Sequence, residues 1–291
     1  MTVSIKYGLG TLKGDVVKDE VCLHASSDAL TEVSLLQAKD QSQALRGRFH
    51  GHGHTPHHEV KSLTTKLCAR MSFLVANEVS DDFAKLPFDG ILGLGLPDSQ
   101  PGANEFSFIE NLNGAGYEPR SKFTLLLGNV GNSQLTLGGI ESSNLLGGQT
   151  LWLPLSKTSA SNWQFSVLDF TLDGHAQHFG SIEVAVDSGT SLLAADDGIR
   201  RWLVQQLSPK DCAAVDNLPV LGLQLQNGHA LPLLPSDYVD QRGVQGLLEC
   251  KLALMPGRFQ SVNGQRLILG DSFLRRFVTT FDQLNRQIGF G

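Results

Sequence analysis

The 291-residue chain is long enough to bury one large hydrophobic core or two ordinary ones. With 41% hydrophobic and 18% charged residues it has the composition of a soluble globular protein, and its net charge of -6 argues against a general nucleic-acid binder. No apolar run approaches membrane-spanning length, since GILGLGLP ends at Pro97.

The opening MTVSIKYGLGTLKG lacks the basic segment and apolar stretch of a signal peptide and reads as a strand entered partway. It continues into GDVVKDEVCL, which predicts two strands joined as a hairpin with Gly8, Gly10 and Gly14 near its tip. From about Leu30 to Leu63 the chain is polar and irregular, and five of its nine histidines fall between His50 and His58. Clustered imidazoles can share a metal ion, but no cysteine or group of carboxylates lies beside them, so a surface insertion is the better reading. KLCARMSFLVANEV is a strand, and SKFTLLLGNVGNSQLTLGGI is a strand pair turning at NVGNS. LWLPL, WQFSVLDFTLDG, SIEVAVDSG, LGLQLQNGHALPL and QRLILGDSFL are further strand segments. Two short helices are expected. NEFSFIENLNGAG places Phe106, Ile109 and Leu112 on one face and stops at Gly114. DDGIRRWLVQQLSP has Asp197 as its N-cap and Ile199, Leu203, Val204 and Leu207 on one face. Many short strands with few helices predict a mostly β protein.

Cys22, Cys68, Cys212 and Cys250 form no CxxC pair, which argues against a thiolate zinc site or a thioredoxin-like motif. Their number permits two disulfides in three connectivities, and equally four free thiols. No GxSxG elbow, GxxxxGK[ST] loop or HExxH helix occurs, and GLGTLKG misses the dinucleotide fingerprint by one residue. The stretch that carries chemistry is VAVDSGTSLLAADDG. It sets Asp187 at the end of an apolar strand, with Gly189 allowing a tight turn and the hydroxyls of Ser188, Thr190 and Ser191 available as donors. Asp-Ser-Gly is also ordinary turn chemistry, so the tetrapeptide alone does not decide.

The order of four segments does more: YGLGTLKGDVVKDEV, FDGILGLGLPD, VAVDSGTSLLAAD and LILGDSFLRRFVTTFD. Together they resemble the pepsin-like aspartic proteases over nearly the whole chain apart from the His-rich insertion. The resemblance implies a mostly β, bilobal fold with one catalytic aspartate per lobe and a peptide cleft between them. It divides the chain into the remainder of a first lobe, 1–150, and a second lobe, 151–291. Asp187 then resembles the second-lobe catalytic aspartate, supported by Ser188, Gly189 and Thr190. Residues 1–20 resemble the flap, with Tyr7, Gly8, Leu9 and Gly10 at its tip. Many relatives carry Thr or Ser where Leu9 stands, and that departure removes a polar contact to substrate. Ile91-Leu92-Gly93 and Ile268-Leu269-Gly270 resemble the paired segments that thread beside each catalytic loop. Phe88 and Ile91 would then help line the pocket for the side chain before the scissile bond, although each singly reads as core. Cys212–Cys250 matches a disulfide common in the family. Cys22–Cys68 is expected as well, on neighbouring strands at the mouth of the insertion, where it would stabilise by about 4 kcal/mol.

What the resemblance requires and the sequence does not contain is a second Asp-[Ser/Thr]-Gly-[Ser/Thr]. Only six residues precede Tyr7, and Asp89-Gly90 and Asp173-Gly174 continue wrongly. The expectation is therefore a pepsin-like enzyme whose first lobe is truncated at its N-terminus and which is inactive as it stands. The alternatives are a catalytically dead homologue that binds peptides or proteins, and a structural or metal-binding protein using the His-rich loop. The resemblance implies no cofactor or metal, a peptide or protein substrate, a monomer when complete, and a secretory, vacuolar or extracellular setting.

Overall fold

The computed structural model describes residues 2–7, 10–23, 31–36, 60–62, 67–86, 88–97, 102–116, 121–128, 133–157, 161–244, 247–257 and 265–291. The His-rich stretch 50–58, Gly8 and Leu9 lie outside them. The chain is mostly β, as the density of short alternating segments requires. Among the described residues a three-stranded sheet joins Thr2–Lys6, Thr11–Leu23 and Leu67–Val79. A seven-stranded sheet runs through Val60–Ser62, Thr31–Leu36, Ser133–Leu137, Lys122–Leu126, Thr279–Asp282, Gln287–Phe290 and Leu151–Pro154. Two of its strands, 31–36 and 60–62, fall in the tract that the sequence presents as irregular. Their pairing to each other and to Ser133–Leu137 outweighs their polar composition.

Both predicted disulfides form. Cys22 and Cys68 stand directly opposite each other on the Thr11–Leu23 and Leu67–Val79 strands, with Cα atoms 4.1 Å apart. Cys212–Cys250 ties the short helical turn Cys212–Asn217 to the strand Leu247–Leu252.

The expected helices exist with two corrections. Phe108–Gly114 stops at Gly114 and is capped by Ser107, whose side chain accepts from the Glu110 N–H. Phe106, expected on its buried face, instead lies exposed in the preceding turn Ala103–Phe106. Asp197–Leu207 buries Ile199, Leu203 and Leu207 but leaves Val204 exposed, because i, i+4 and i+8 already fill the narrow contact. Its N-cap is Asp196, not Asp197. Asp196 Oδ1 accepts from the Gly198 and Ile199 N–H groups, while Oδ2 accepts from Arg266 N–H at 2.7 Å. The distant contact to Arg266 decides between two adjacent aspartates that are equivalent on paper.

The seven-stranded sheet joins the two halves of the chain, since Thr279–Asp282 pairs antiparallel with Lys122–Leu126. Phe123, Trp163 and Phe281 stack where they meet, with ring centroids 4.6 to 5.8 Å apart. At the end of that pairing the buried Asp282 accepts from Lys122 Nζ at 2.8 Å, from the Asn285 backbone and side chain, and from Gln287 Nε2. Burial alone would raise its carboxyl, but the Lys122 ammonium and these donors outweigh burial and hold it below the usual carboxylate range. A depressed carboxyl stabilises the fold above its unfolded pKa of about 4, and that contribution fades as pH falls toward the folded value. Asp282→Ala is expected to cost about 3–5 kcal/mol in urea unfolding at neutral pH, since it strands Lys122. Asp282→Asn should flatten the loss of stability that the parent shows below about pH 4.

Candidate active site

The candidate site is built on the five-stranded sheet whose order is Leu254–Pro256, Leu193–Ala195, Gln265–Leu269, Ile182–Val186 and Gln164–Val167. Ile182, Val184 and Val186 point into the core, as their alternation with Glu183 and Ala185 predicts. The strand ends at Asp187, whose carboxylate is exposed and closes a tight turn. Oδ1 accepts from Gly189 N–H at 2.9 Å and Oδ2 from Thr190 Oγ1 at 2.8 Å. Ser188 and Ser191, also expected as donors, make no hydrogen bond to it; only Thr190 of the three hydroxyls faces the carboxylate. The turn closes through Thr190 N–H donating to Asp187 C=O at 3.1 Å.

A second segment locks this loop. Gln265–Leu269 runs parallel to Ile182–Val186 on one side and antiparallel to Leu193–Ala195 on the other, so it threads between the two arms of the loop. Asp187 N–H donates to Leu269 C=O at 3.0 Å, and Asp271 N–H donates to Thr190 C=O at 2.8 Å. Gly270 lies between these two bonds. A Cβ there would overlap the carbonyl oxygens of Thr190 and Leu192, so the position requires glycine for space alone.

Asp271, absent from the sequence-derived site, begins the short helix Asp271–Leu274. Burial raises its carboxyl, Arg275 opposes that, and the charge of Asp187 raises it further. No hydrogen bond joins the two carboxyls. A polar cavity of about 360 Å³ lies beside Asp271, lined also by Ser191, Ser236, Ser272 and Arg275 among others; Asp187 does not line it.

Trp163 connects this site to the first half of the chain. Its C=O accepts from Val186 N–H at 2.8 Å, one residue before Asp187. Its indole Nε1 donates to Leu94 C=O at 2.8 Å, one residue after Gly93.

Known sequences are similar to this chain over the stretch that holds the Asp187 turn and its threading strand. A family model described as Eukaryotic aspartyl protease matches residues 51–291. The chain belongs to the eukaryotic aspartyl protease family. It is 33% identical over 233 residues to gastricsin of Cavia porcellus, covering 75% of this chain and 57% of that protein. It is 26% identical over 299 residues to pepsin-2B of Gadus morhua, covering 99% of this chain and 78% of that protein. Pepsin A of Rhinolophus ferrumequinum is 33% identical over 215 residues, 70% of this chain and 53% of that protein. The chain thus spans little more than half the length of the gastricsin and pepsin A that it matches.

Thr2–Lys6 and Thr11–Leu23 pair as a hairpin, and Tyr7 N–H donates to Gly10 C=O at 2.8 Å. The Tyr7 ring packs edge-on against Phe83 at 5.3 Å, and a Cβ on Gly10 would strike Ser80 and Phe83. Among the described residues no hydrogen bond or ring contact joins Tyr7 to the Asp187 loop. Phe88 and Ile91, which taken singly read as core, are exposed. The one described cluster with three potential metal ligands is Glu20, Cys22 and Cys68, and its two sulfurs are joined in a disulfide.

Gly270→Ala is expected to destabilise the aspartyl protease fold by about 1–3 kcal/mol or more, read as a lowered urea midpoint. Asp187→Asn removes the charge that raises Asp271. The Asp271 carboxyl, followed by carbon-13 NMR, should therefore titrate at lower pH in the variant than in the parent.

Proposed function

We propose that this chain carries one catalytic half of an aspartic endopeptidase, with Asp187 as its carboxylate. The observation that supports the reading is the exposed Asp187 carboxylate held by Gly189 N–H and Thr190 Oγ1. Two neutral donors fix its orientation, and the residue stays exposed to water. Amide hydrolysis at such a site needs a second carboxyl. Two carboxylates about 3 Å apart cannot both ionise, so one keeps a proton. The charged member takes a proton from the shared water while the protonated member donates to the peptide carbonyl oxygen. Water attacks directly, with no covalent intermediate.

Residues 1–291 hold a single Asp-Ser-Gly-Thr and no second tetrapeptide of that type. Asp271 does not replace it, because its backbone is bonded behind the loop and its carboxyl shares no hydrogen bond with Asp187. Residues 1–291 by themselves are therefore expected to leave peptide bonds intact. Peptide bonds flanked by apolar side chains are the expected substrates of the completed enzyme. The two disulfides fit an oxidising compartment, such as the secretory pathway or a vacuole.

The purified 291-residue chain should leave a denatured protein substrate intact; pepstatin-sensitive digestion by the monomer would overturn this reading. Fusing a segment that contains Asp-Thr-Gly-Ser ahead of residue 1 should create activity. Asp187→Asn in that fusion should lower turnover by about a hundred- to ten-thousand-fold with the fold unchanged by circular dichroism. Tyr7→Ala should reduce kcat by loosening closure of the hairpin over substrate.

A further inference from the structure

Away from the Asp187 loop, three metal-ligating side chains meet on the ladder between Thr11–Leu23 and Leu67–Val79. Side chains alternate along a strand, so Glu20 and Cys22 share one face of the ladder. Arg70 and Cys68 stand directly opposite them, Arg70 across from Glu20 and Cys68 across from Cys22. The other face is the apolar one: Leu67 and Ala69 are buried, and Val21 and Leu23 pack against the core. The disulfide therefore sits on the outer face, with Cys22 and Cys68 half-buried and Glu20 exposed. Glu20 Oε2 lies 3.6 Å from Cys22 Sγ, and one carboxylate oxygen and both sulfurs all lie within 4.8 Å of one another. Ligand atoms held about 2.0–2.3 Å from one tetrahedral zinc ion are about 3.3–3.8 Å apart. Opening the S–S bond lets the sulfurs part to that spacing by side-chain rotation, with the backbone ladder unmoved.

We propose that Glu20, Cys22 and Cys68 form a binding site for a thiophilic divalent ion of the zinc type, closed while the bridge is intact and opened by its reduction. A dithiol supplies two electrons and two protons, which convert the S–S bond into two S–H groups, and leaves as its own disulfide. Metal binding then releases both thiol protons, because the thiolate is the ligand. Two sulfurs and one carboxylate oxygen fill three positions, and water takes the fourth. Two thiolates and a carboxylate around a dication leave one net negative charge, which the Arg70 guanidinium across from Glu20 offsets. The thiolate pair selects zinc over magnesium or calcium, which take oxygen ligands. The bound ion pins the same two strands that the bridge pins, so the ladder keeps its register when the redox setting changes. Cys212 and Cys250 offer no equivalent, since Glu20, Cys22 and Cys68 are the one such group among the described residues. The site shares no residue with the Asp187 loop and is independent of the catalytic reading.

The probe is cobalt(II), which stands in for zinc and reports sulfur ligation through a near-ultraviolet charge-transfer band. It is titrated into the full 291-residue protein before and after reduction with dithiothreitol, the reductant being removed under argon and the fold followed by circular dichroism. The oxidised protein should give no band. The reduced protein should give a saturable one, at one ion per chain, with release of two protons and displacement by zinc. Cys22→Ser should abolish the band, and Cys212→Ser should leave it unchanged. Glu20→Gln, which keeps both sulfurs, should weaken binding by at least the roughly tenfold that loss of even an outer-shell partner brings. Absence of the band in reduced, folded protein overturns the proposal, as does a band that survives Cys22→Ser or an affinity that ignores Glu20→Gln. A reduced chain that unfolds and is not refolded by cobalt or zinc overturns it too. Binding without a sulfur band, lost when His50, His52, His54, His57 and His58 are replaced by alanine, overturns it in favour of imidazole ligation.

Discussion

Two backbone hydrogen bonds and one absent methyl group hold Asp187 where it is. The Asp187 N–H binds Leu269 C=O, the Asp271 N–H binds Thr190 C=O, and Gly270 between them leaves the loop room to lie flat on the threading strand. The carboxylate's own contacts to Gly189 and Thr190 are local and would form in many Asp-Ser-Gly turns. The threading strand turns that local geometry into a fixed position. It ties the loop to a strand buried between Ile182–Val186 and Leu193–Ala195, so the site inherits the rigidity of the sheet.

The same interaction explains the asymmetry between the two halves. Each contains an apolar-apolar-Gly segment, and among the described residues the one at 268–270 packs against an Asp-Ser-Gly-Thr loop. Where the loop is present, the apolar side chains are buried and the glycine is indispensable. Where it is not, the same residue types lie in water and the glycine is idle. The halves nevertheless share a sheet through the Lys122–Leu126 and Thr279–Asp282 pairing, and Trp163 reaches from one segment to the other. The two halves are therefore tied to each other through one sheet and one indole, close to the Asp187 loop.

Local features were legible in the sequence. Strand alternation gave Ile182–Val186 and Leu67–Val79, Gly114 marked a helix end, and the order of four motifs pointed to the family and to both disulfides. What escaped was set by contacts distant in sequence. Asp196 caps its helix in preference to Asp197 because Arg266 N–H, 70 residues away, fills its second oxygen. Residues 31–36 look irregular until Ser133–Leu137 pairs with them. Asp271 gains its raised carboxyl from burial and from Asp187 across the loop, which no local pattern announces. Phe88 and Ile91 were readable as apolar, but apolar character alone does not fix burial, and both are exposed.

The Cys22–Cys68 bridge has a consequence for everything between its two cysteines. It closes the last rung but one of the ladder formed by Thr11–Leu23 and Leu67–Val79, with 46 residues of sequence separation gathered behind it. The register of the flap-like hairpin is then set on the near side of a covalent stitch. Lengthening or shortening the chain behind the stitch changes closure entropy only logarithmically. A change of length there is accordingly little felt where Tyr7 and Gly10 meet.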